Sequence, residues 1–240
     1  MEIRQDLPQC WADVEKALQA GIDRIILFGP PGTGKTYAGL NGGDVSSGAW
    51  RLICTEDMSN AKVEGHYKLN GDGGWSWTDG EAVKAWKGDG IRGGRLVIDE
   101  IDKAGADVFA TLLAFTDSPE SAKWESPDNG RTFTPKDGFS VVMTTNIEHM
   151  DELPEALKDR FPVCIRINQP HPDALAKLSA DLREYAIRMA DAGERRISLR
   201  TFYAFDQLRK SLGDAEGARL VFGTQAQSVL DAIAINKVAV

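Results

Sequence analysis

Residues 25 to 36 read IILFGPPGTGKT, an apolar run that leads into a glycine-rich loop ending in Lys35 and Thr36. The apolar run predicts a buried strand, and the loop fits the phosphate-binding pattern G-x-x-x-x-G-K-[ST], which opens a helix. Its glycines let backbone N–H groups converge on phosphate oxygens, while Lys35 reaches the terminal phosphates and the Thr36 hydroxyl can ligate Mg2+. The predicted phosphate-contacting residues are Gly29, Pro30, Pro31, Gly32, Thr33, Gly34, Lys35, Thr36 and Tyr37.

The composition is that of an ordinary globular protein, with 42% hydrophobic and 27% charged residues in 240. No apolar run approaches the roughly 20 residues that span a bilayer, so we expect no membrane insertion. The first six residues lack the apolar core of a signal peptide, which favours a cytoplasmic location. The three cysteines and three histidines are widely scattered, so neither a disulfide framework nor a zinc site is predicted.

The net charge of -8 disfavours a protein whose whole surface grips nucleic acid. The stretch from Lys158 to Lys210 is nevertheless basic, with eleven Lys or Arg against seven Asp or Glu. Either these charges lie on solvated helix faces, or several of the arginines face phosphate. The sequence leaves both interpretations open.

Apolar runs recur along the first two thirds of the chain and alternate with helical patterns. They predict core strands at 24–28, 50–54, 95–100, 140–146 and 162–167. Such alternation is typical of an α/β fold with a parallel, doubly wound sheet, here of the P-loop NTPase kind. After Pro170 only helical patterns remain, at 173–190, 199–212 and 218–234. We therefore predict a nucleotide-binding domain over 1–170 and a small C-terminal helical lid over 171–240.

Two segments inserted in the predicted sheet have the pattern of β-hairpins. One, near 64–94, is rich in glycine and carries the alternating Trp75-Ser76-Trp77. The other, near 121–139, contains Asn129-Gly130, a dipeptide typical of hairpin turns. The tryptophans either pack internally or present a surface to a partner, and the sequence does not separate the two interpretations.

Polar side chains follow two of the predicted strands. Asp99 ends an apolar strand at the edge where open α/β sheets bind ligands, and can hold Mg2+. Glu100, the next residue, can orient and deprotonate an attacking water; a solvated loop is the alternative. Asn146 ends a strand expected beside that of Asp99, where its amide can hold the water or a phosphate, or merely cap the following turn.

Two arginines are further candidates for the catalytic site. Arg160 ends the short helical segment 153–161, where a surface ion pair is the simpler interpretation. Arg200 opens a predicted lid helix and can reach a nucleotide if the lid folds down. Ser198, as the N-cap of that helix, explains the same segment without any catalytic role.

In this order the residues resemble the motifs of AAA+ ATPases. Gly29 to Thr36 resembles Walker A and Leu96 to Glu100 resembles Walker B, while Asn146 is similar to sensor 1, Arg160 to the arginine finger and Arg200 to sensor 2. The segments LFGPPGTGKT, LVIDEIDKA, VVMTTN and LPEALKDRF resemble the MoxR-type, dynein-related branch. That branch includes activators of rubisco and nitric oxide reductase and proteins of gas-vesicle assembly.

The resemblance implies ATP and Mg2+ as cofactors and a homo-oligomeric ring, commonly a hexamer, in which Arg160 completes the neighbour's site. An arginine supplied in this way contributes roughly a thousandfold or more to the rate. It also implies that the hairpins face a pore or a client, often a protein with a von Willebrand A domain. The lid is short for this branch, which leaves the role of Arg200 open. The alternatives are a nucleic-acid motor or restriction-type NTPase subunit, and a slowly hydrolysing scaffold.

Overall fold

The computed structural model describes residues 7–190, 192–193 and 196–238, which form two compact units. The first unit consists of Asp13–Gly29 and Lys35–Arg166. The second contains Pro30–Gly34 and the described residues of Met1–Ala12 and Ile167–Val240. The cytoplasmic location was expected from residues 1–6, which lie outside the described part of the chain. The functional division into a domain over 1–170 and a lid over 171–240 stays a prediction.

Strands and helices alternate through the first unit, as the sequence predicts. Helix α1 begins in the second unit and ends in the first. In chain order the elements are α1 Gln9–Gln19, β1 Arg24–Phe28, α2 Lys35–Asn41, β2 Ala49–Ile53, β3 Gly65–Leu69, β4 Trp75–Asp79, α3 Glu81–Lys87, β5 Arg95–Asp99, α4 Ala106–Phe115, β6 Trp124–Glu125, β7 Thr132–Phe133, β8 Ser140–Thr144, α5 Glu155–Arg160 and β9 Val163–Arg166.

The core of the first unit is a five-stranded sheet in the order β2-β5-β8-β1-β9. All its strand pairs are parallel, which confirms the predicted α/β class. Every residue of β5 is buried, because a parallel sheet covered by helices on its faces needs nearly continuous apolar strands. Strand β8 lies directly beside β5, with Ile98 opposite Met143. The carboxyl ends of the Asp99 and Asn146 segments are therefore neighbours, as expected.

Helix α2, which follows the glycine-rich loop, packs very closely on this sheet. A Cβ atom added at Gly39 would lie 3.1 Å from a methyl group of Val97 and 3.2 Å from one of Val142. The sequence indicates only that Gly39 shortens the helix; the structure shows that it also lets the helix approach the two central strands.

Both predicted hairpins form, but they differ in size. Strands β3 and β4 pair antiparallel over five residues each, from Gly65 opposite Asp79 to Leu69 opposite Trp75. Strands β6 and β7 pair over only two residues each, so the hairpin expected across 121–139 is much shorter. Its Asn-Gly pair is not a tight two-residue turn. Residues 126–131 form a closed loop instead, because the Gly130 N–H donates to the Ser126 carbonyl and the Asn129 side chain accepts from the Arg131 N–H.

The second unit is helical apart from the loop residues, with its own apolar core. Its helices after residue 167 are α6 Pro172–Leu175, α7 Ala180–Ala190, α8 Leu199–Leu212, α9 Asp214–Phe222 and α10 Ala226–Val238. Helix α8 begins and ends as predicted, and Ser198 caps it by accepting from the Thr201 N–H at 3.3 Å. None of the described helices is both long and apolar enough to cross a membrane.

The other two predicted helices of this unit are wrong as single elements. The helix predicted at 173–190 is interrupted before Ala180, where the backbone N–H and the hydroxyl of Ser179 both donate to Asp206 at 3.1 Å. The helix predicted at 218–234 begins earlier, at Asp214, and is interrupted at Gly223, whose φ of 56° is left-handed. The first interruption is therefore explained by hydrogen bonds to a buried carboxylate of another helix, and the second by a glycine turn.

Candidate active site

The glycine-rich loop adopts backbone conformations that its glycines make possible. Gly32 and Gly34 have φ values of 79° and 110°, which side chains with a Cβ rarely adopt. Within the second unit the loop contacts the start of α8, since a Cβ on Gly32 would lie 3.1 Å from that of Ser198. The His171 N–H also donates to the Thr33 carbonyl at 3.2 Å. The loop is thus held in shape by the helical unit, which the sequence does not indicate.

The aromatic side chains of Trp11 and His171, which belong to the same unit, pack against this loop. The ring of Trp11 lies edge-on to that of His171, with ring centroids 5.0 Å apart, and its Nε1 donates to the Gln169 carbonyl at 2.9 Å. A Cβ on Gly34 would contact both rings' residues, at 3.6 Å from His171 and 3.8 Å from Trp11. The amphipathic pattern of α1 predicts that Trp11 is buried, but not that it lies against the loop.

Lys35 and Thr36 are the first two residues of α2. Lys35 is only 6% exposed, and its ammonium donates to the Gly29 carbonyl at 2.7 Å and to the Asn146 Oδ1 at 3.2 Å. A buried ammonium needs acceptors, and these two hold it in place. Tyr37, predicted to contact the ligand, is exposed.

Asp99 is 5% exposed, and both of its carboxylate oxygens accept hydrogen bonds. Oδ1 accepts from the Thr36 hydroxyl at 2.8 Å and from the Thr144 hydroxyl. Oδ2 accepts from Nε of Arg51 at 3.1 Å and from Nη2 of the same side chain. Burial raises the pKa of Asp99, but the hydrogen bonds from Thr144, Arg51 and Thr36 outweigh it and leave the pKa below its usual value. The carboxylate is therefore ionised at neutral pH.

Glu100 has a left-handed backbone with φ of 58°, and no other non-glycine residue of the described ranges has a positive φ. This conformation costs about 1–2 kcal/mol for a residue with a Cβ. Its Oε1 accepts from the Asn146 amide at 3.4 Å, and its Oε2 from the Lys103 ammonium at 2.6 Å. Because the oxygen of the Asn146 amide accepts from Lys35 and its nitrogen donates to Glu100, the amide links the two side chains.

The two candidate arginines lie on helices α5 and α8. Arg160 donates to the Ala156 carbonyl of its own helix at 3.1 Å and to Asp117 at 3.4 Å, which is the ion pair foreseen as the alternative. Its Nε is buried and has no hydrogen-bond partner in the described part of the chain. Arg200 is exposed in the first turn of α8, just after the capping Ser198.

The donor set around Asp99 suits a metal ion that arrives with a nucleotide. Thr36 and Asp99 offer one hydroxyl and one carboxylate, and Mg2+ typically keeps water and phosphate oxygens beside one or two such protein ligands. Among the residues that the structure describes, no three His, Cys, Asp or Glu side chains gather as a metal site. The residues present therefore fit Mg2+ bound together with a nucleoside triphosphate.

Several arginines of the basic stretch from Lys158 to Lys210 form ion pairs or hydrogen bonds within the protein. Arg166 pairs with Glu148 at 3.3 Å, and Arg209 with Asp181 at 2.8 Å. Arg183 donates to two backbone carbonyls. Protein groups thus contact all three arginines, but they do not match the first interpretation uniformly, since Arg209 is only 11% exposed and Arg166 lies on strand β9.

Two residues of the site were missed by the sequence analysis. Arg51 carries no motif signal, because its role depends on β2 lying beside β5. Thr144 lies in the VVMTTN segment, and its position beside Asp99 follows from the pairing of β5 with β8. Each could be found only from the order of the strands.

Part of the chain is similar to known proteins. Residues 24–161 match the AAA domain family, dynein-related subfamily. The Lon protease of Desulfovibrio desulfuricans is 29% identical over 149 residues, which cover 58% of this chain and 16% of that protein. The Lon protease 2 of Myxococcus xanthus is 27% identical over 148 residues, covering 58% and 17%. The chain thus spans about a sixth of the length of these relatives.

Among solved structures, that of a candidate ATPase from Cytophaga hutchinsonii has a TM-score of 0.47 and 18% identity, and the match covers 76% of this chain and 63% of that one. The family match covers more than half of the 240 residues and contains the loop, both central strands and the Asp99–Glu100 pair. The chain belongs to the dynein-related subfamily of AAA domains and is an ATPase module of the P-loop α/β class.

Proposed function

We propose that this module hydrolyses ATP with Mg2+ in a ring of identical copies, belongs to the MoxR-type branch and remodels or activates a partner protein. The observation that carries the hydrolytic part is the hydrogen-bonded series Lys35–Asn146–Glu100 at the carboxyl ends of β5 and β8. It brings an ammonium and a carboxylate to the same amide, which supports a role for Lys35 in holding phosphate and for Glu100 in activating water. In this scheme residues 171–240 act as the lid over a domain of residues 1–170.

Binding is the task of the loop and the start of α2. When bound, Mg2+-ATP supplies the electrophilic terminal phosphate and neutralises part of its charge. Lys35 holds the phosphate charge with an ammonium that is already buried and hydrogen-bonded to Gly29 and Asn146. Thr36 and Asp99 hold the metal ion, and the low pKa of Asp99 keeps that carboxylate ionised for the purpose.

Hydrolysis needs a proton acceptor beside the phosphate. The Asp99 carboxylate accepts from Thr36, Thr144 and Arg51, whereas the Glu100 carboxylate accepts from Asn146 and Lys103. The two carboxylates have different partners and can therefore have different tasks. Glu100 accepts the proton of the attacking water, and Asn146 orients the Glu100 carboxylate by donating to its Oε1. A strained residue at such a place is a typical feature of functional sites.

The ring is proposed because the resemblance to AAA+ ATPases assigns Arg160 to the site of a neighbouring copy. Arg160 is partly exposed at the end of α5, and its contacts are with Asp117 and its own helix. We propose that it completes the site of the neighbouring copy, stabilising the charge that develops on the phosphate. Arg200 serves the same purpose from α8, in its own chain or the next.

The partner is proposed to be a protein, often one with a von Willebrand A domain in this branch. The β3–β4 hairpin supports this, since it exposes the large apolar side chains of Tyr67, Leu69 and Trp75. A nucleic-acid motor is the second candidate, and the ion-paired arginines of the basic stretch argue against it.

A trapped variant tests the proposal. Glu100→Gln should bind ATP without hydrolysing it and should co-purify with its partner from a lysate in the presence of ATP. Lys35→Ala, which should not bind ATP, is the matched control. Recovery of a protein by Glu100→Gln alone supports remodelling. Recovery of DNA or RNA instead would replace it with the motor, and rapid ATP turnover by Glu100→Gln would refute the assignment of the base.

A further inference from the structure

Arg51 forms an ion pair inside the candidate active site that no motif assigns. It lies on β2, the edge strand beside β5, two residues before Ile53, which pairs with Asp99. Its guanidinium directs Nε and Nη2 to the same oxygen, Oδ2 of Asp99. The Arg51 side chain is 40% exposed while that of Asp99 is 7% exposed. An exposed arginine thus reaches inward to neutralise a buried carboxylate.

The two oxygens of Asp99 differ in what they can still bind. Oδ1 accepts from the hydroxyls of Thr36 and Thr144. A hydroxyl can rotate its hydrogen away and offer a lone pair, so it can share a site with a cation. A guanidinium has only N–H donors and a fixed positive charge, and it repels a divalent cation at the same oxygen. Oδ2 is therefore available to a metal ion only when Arg51 leaves it.

We propose that Arg51 competes with Mg2+ for Asp99 and so sets the Mg2+ concentration at which the module loads its nucleotide. The inference rests on the proposed role of Asp99 as a metal ligand. Arg51 is a positioning residue, since it acts through Asp99. Its position on an edge strand with a large exposed fraction gives the side chain room to move into solvent.

The test measures metal dependence of binding, without turnover. A fluorescent, non-hydrolysable ATP analogue is titrated into the full chain at a series of Mg2+ concentrations, and the half-saturating Mg2+ concentration is read. Arg51→Ala should lower that concentration about tenfold, the typical worth of a charge-assisted hydrogen bond. Arg51→Lys keeps the charge but loses the two-bond geometry. Its half-saturating Mg2+ concentration should lie between those of wild type and Arg51→Ala. In EDTA the analogue should bind wild type and Arg51→Ala equally.

Arg92→Ala is the matched control, because it removes an exposed arginine whose ion pair with Asp44 spans 3.7 Å in the same unit. It should leave the Mg2+ dependence unchanged. Thermal unfolding checks that each variant folds, and Arg51→Met, which keeps the aliphatic stem, replaces Arg51→Ala if that variant is unstable. An unchanged or higher half-saturating concentration in folded Arg51→Ala or Arg51→Met would overturn the inference, as would an equal loss of affinity with and without Mg2+.

Asp99→Asn separates failure of this inference from failure of the proposed function. If Asp99 holds Mg2+, Asp99→Asn should raise the half-saturating concentration well above that of wild type. A rise in Asp99→Asn without a fall in Arg51→Ala refutes the competition alone. No change in Asp99→Asn refutes the role of Asp99 itself, and the competition with it.

Discussion

The carboxyl edge of the sheet and the tip of the β3–β4 hairpin belong to the same unit but are built in opposite ways. At the sheet edge, Lys35 and Asp99 are 6% and 5% exposed, and their charges meet partners from three other segments. At the hairpin tip, Leu69 and Trp75 form a cross-strand pair and are 56% and 66% exposed. The first region buries charge, and the second exposes apolar surface.

This contrast separates chemistry from recognition. Buried charges are tolerated only with close partners, so the sheet edge brings charged and polar groups together, which suits a small charged ligand. Exposed apolar side chains cost little stability on their own and suit contact with another macromolecule. Substitutions at the sheet edge should therefore alter nucleotide handling, and substitutions at the hairpin tip should alter partner contact.

The largest effect is expected at Lys35. Lys35→Ala removes the ammonium that faces the phosphates and should abolish ATP binding, measured by calorimetry or with a fluorescent nucleotide. Lys62→Ala, which removes an exposed lysine of the same unit outside the site, controls for the loss of one positive charge. Micromolar affinity retained by Lys35→Ala would contradict the assignment of the loop.

Next in size is the loss of the arginine proposed to act in trans. Arg160→Ala should keep ATP binding but lower the hydrolysis rate by about a thousandfold or more. Mixed with Lys35→Ala, it should regain part of the activity, because each copy supplies what the other lacks. Steady-state phosphate release measures both effects. A mixture no more active than its components would count against action in trans.

A smaller rate effect is expected at the proposed base. Glu100→Gln should bind ATP with near-normal affinity while hydrolysis falls by about 10²–10⁴-fold, the usual contribution of a general base. Single-turnover kinetics separate this loss of chemistry from slow product release. The left-handed backbone persists in the variant, so the unfolding free energy should change little, and a large loss of stability would point to a structural role instead.

The hairpin tip should respond in the opposite manner. Trp75→Ala should change the free energy of unfolding by less than about 0.5 kcal/mol, as expected for an exposed position. It should, however, weaken partner capture by the Glu100→Gln trap. Ile91→Ala removes an exposed apolar side chain outside the hairpin and is the matched control. Equal partner recovery with and without Trp75 would remove the hairpin from the proposed interface.

The smallest effect is expected for the reactivity of a buried thiol, that of Cys54, which follows strand β2. Cys54 is fully buried, and burial together with the charges of Asp99, Asp102 and Glu100 raises its pKa to about 12. At pH 8 about one molecule in ten thousand then carries the reactive thiolate. Mass spectrometry after iodoacetamide treatment should show Cys54 unmodified in the native protein and alkylated in urea. Alkylation at equal rates in both states would show that this region opens readily.

Prediction from the sequence succeeded where the signal is local. Strand β1 and helix α8 have the predicted bounds, because an apolar run or a capped amphipathic pattern is complete within a few residues. It failed where a helix is interrupted by a distant partner, as at Ser179, whose acceptor Asp206 lies 27 residues away. The predicted length of the β6–β7 hairpin was wrong for a different reason. Hydrogen bonds to a side chain and a carbonyl of its own loop take the place of further strand pairing.

The amino-acid sequence alone determined the phosphate-binding loop, the strands of the sheet and the identities of Lys35, Asp99 and Glu100 as candidates. Only the tertiary structure decided how they are connected. Asn146 meets Lys35 across 111 residues of chain, and Arg51 meets Asp99 across 48. Periodicity reports which face a residue occupies, but a hydrogen bond between two strands depends on their order in the sheet, and that order is set by the packing of the whole unit.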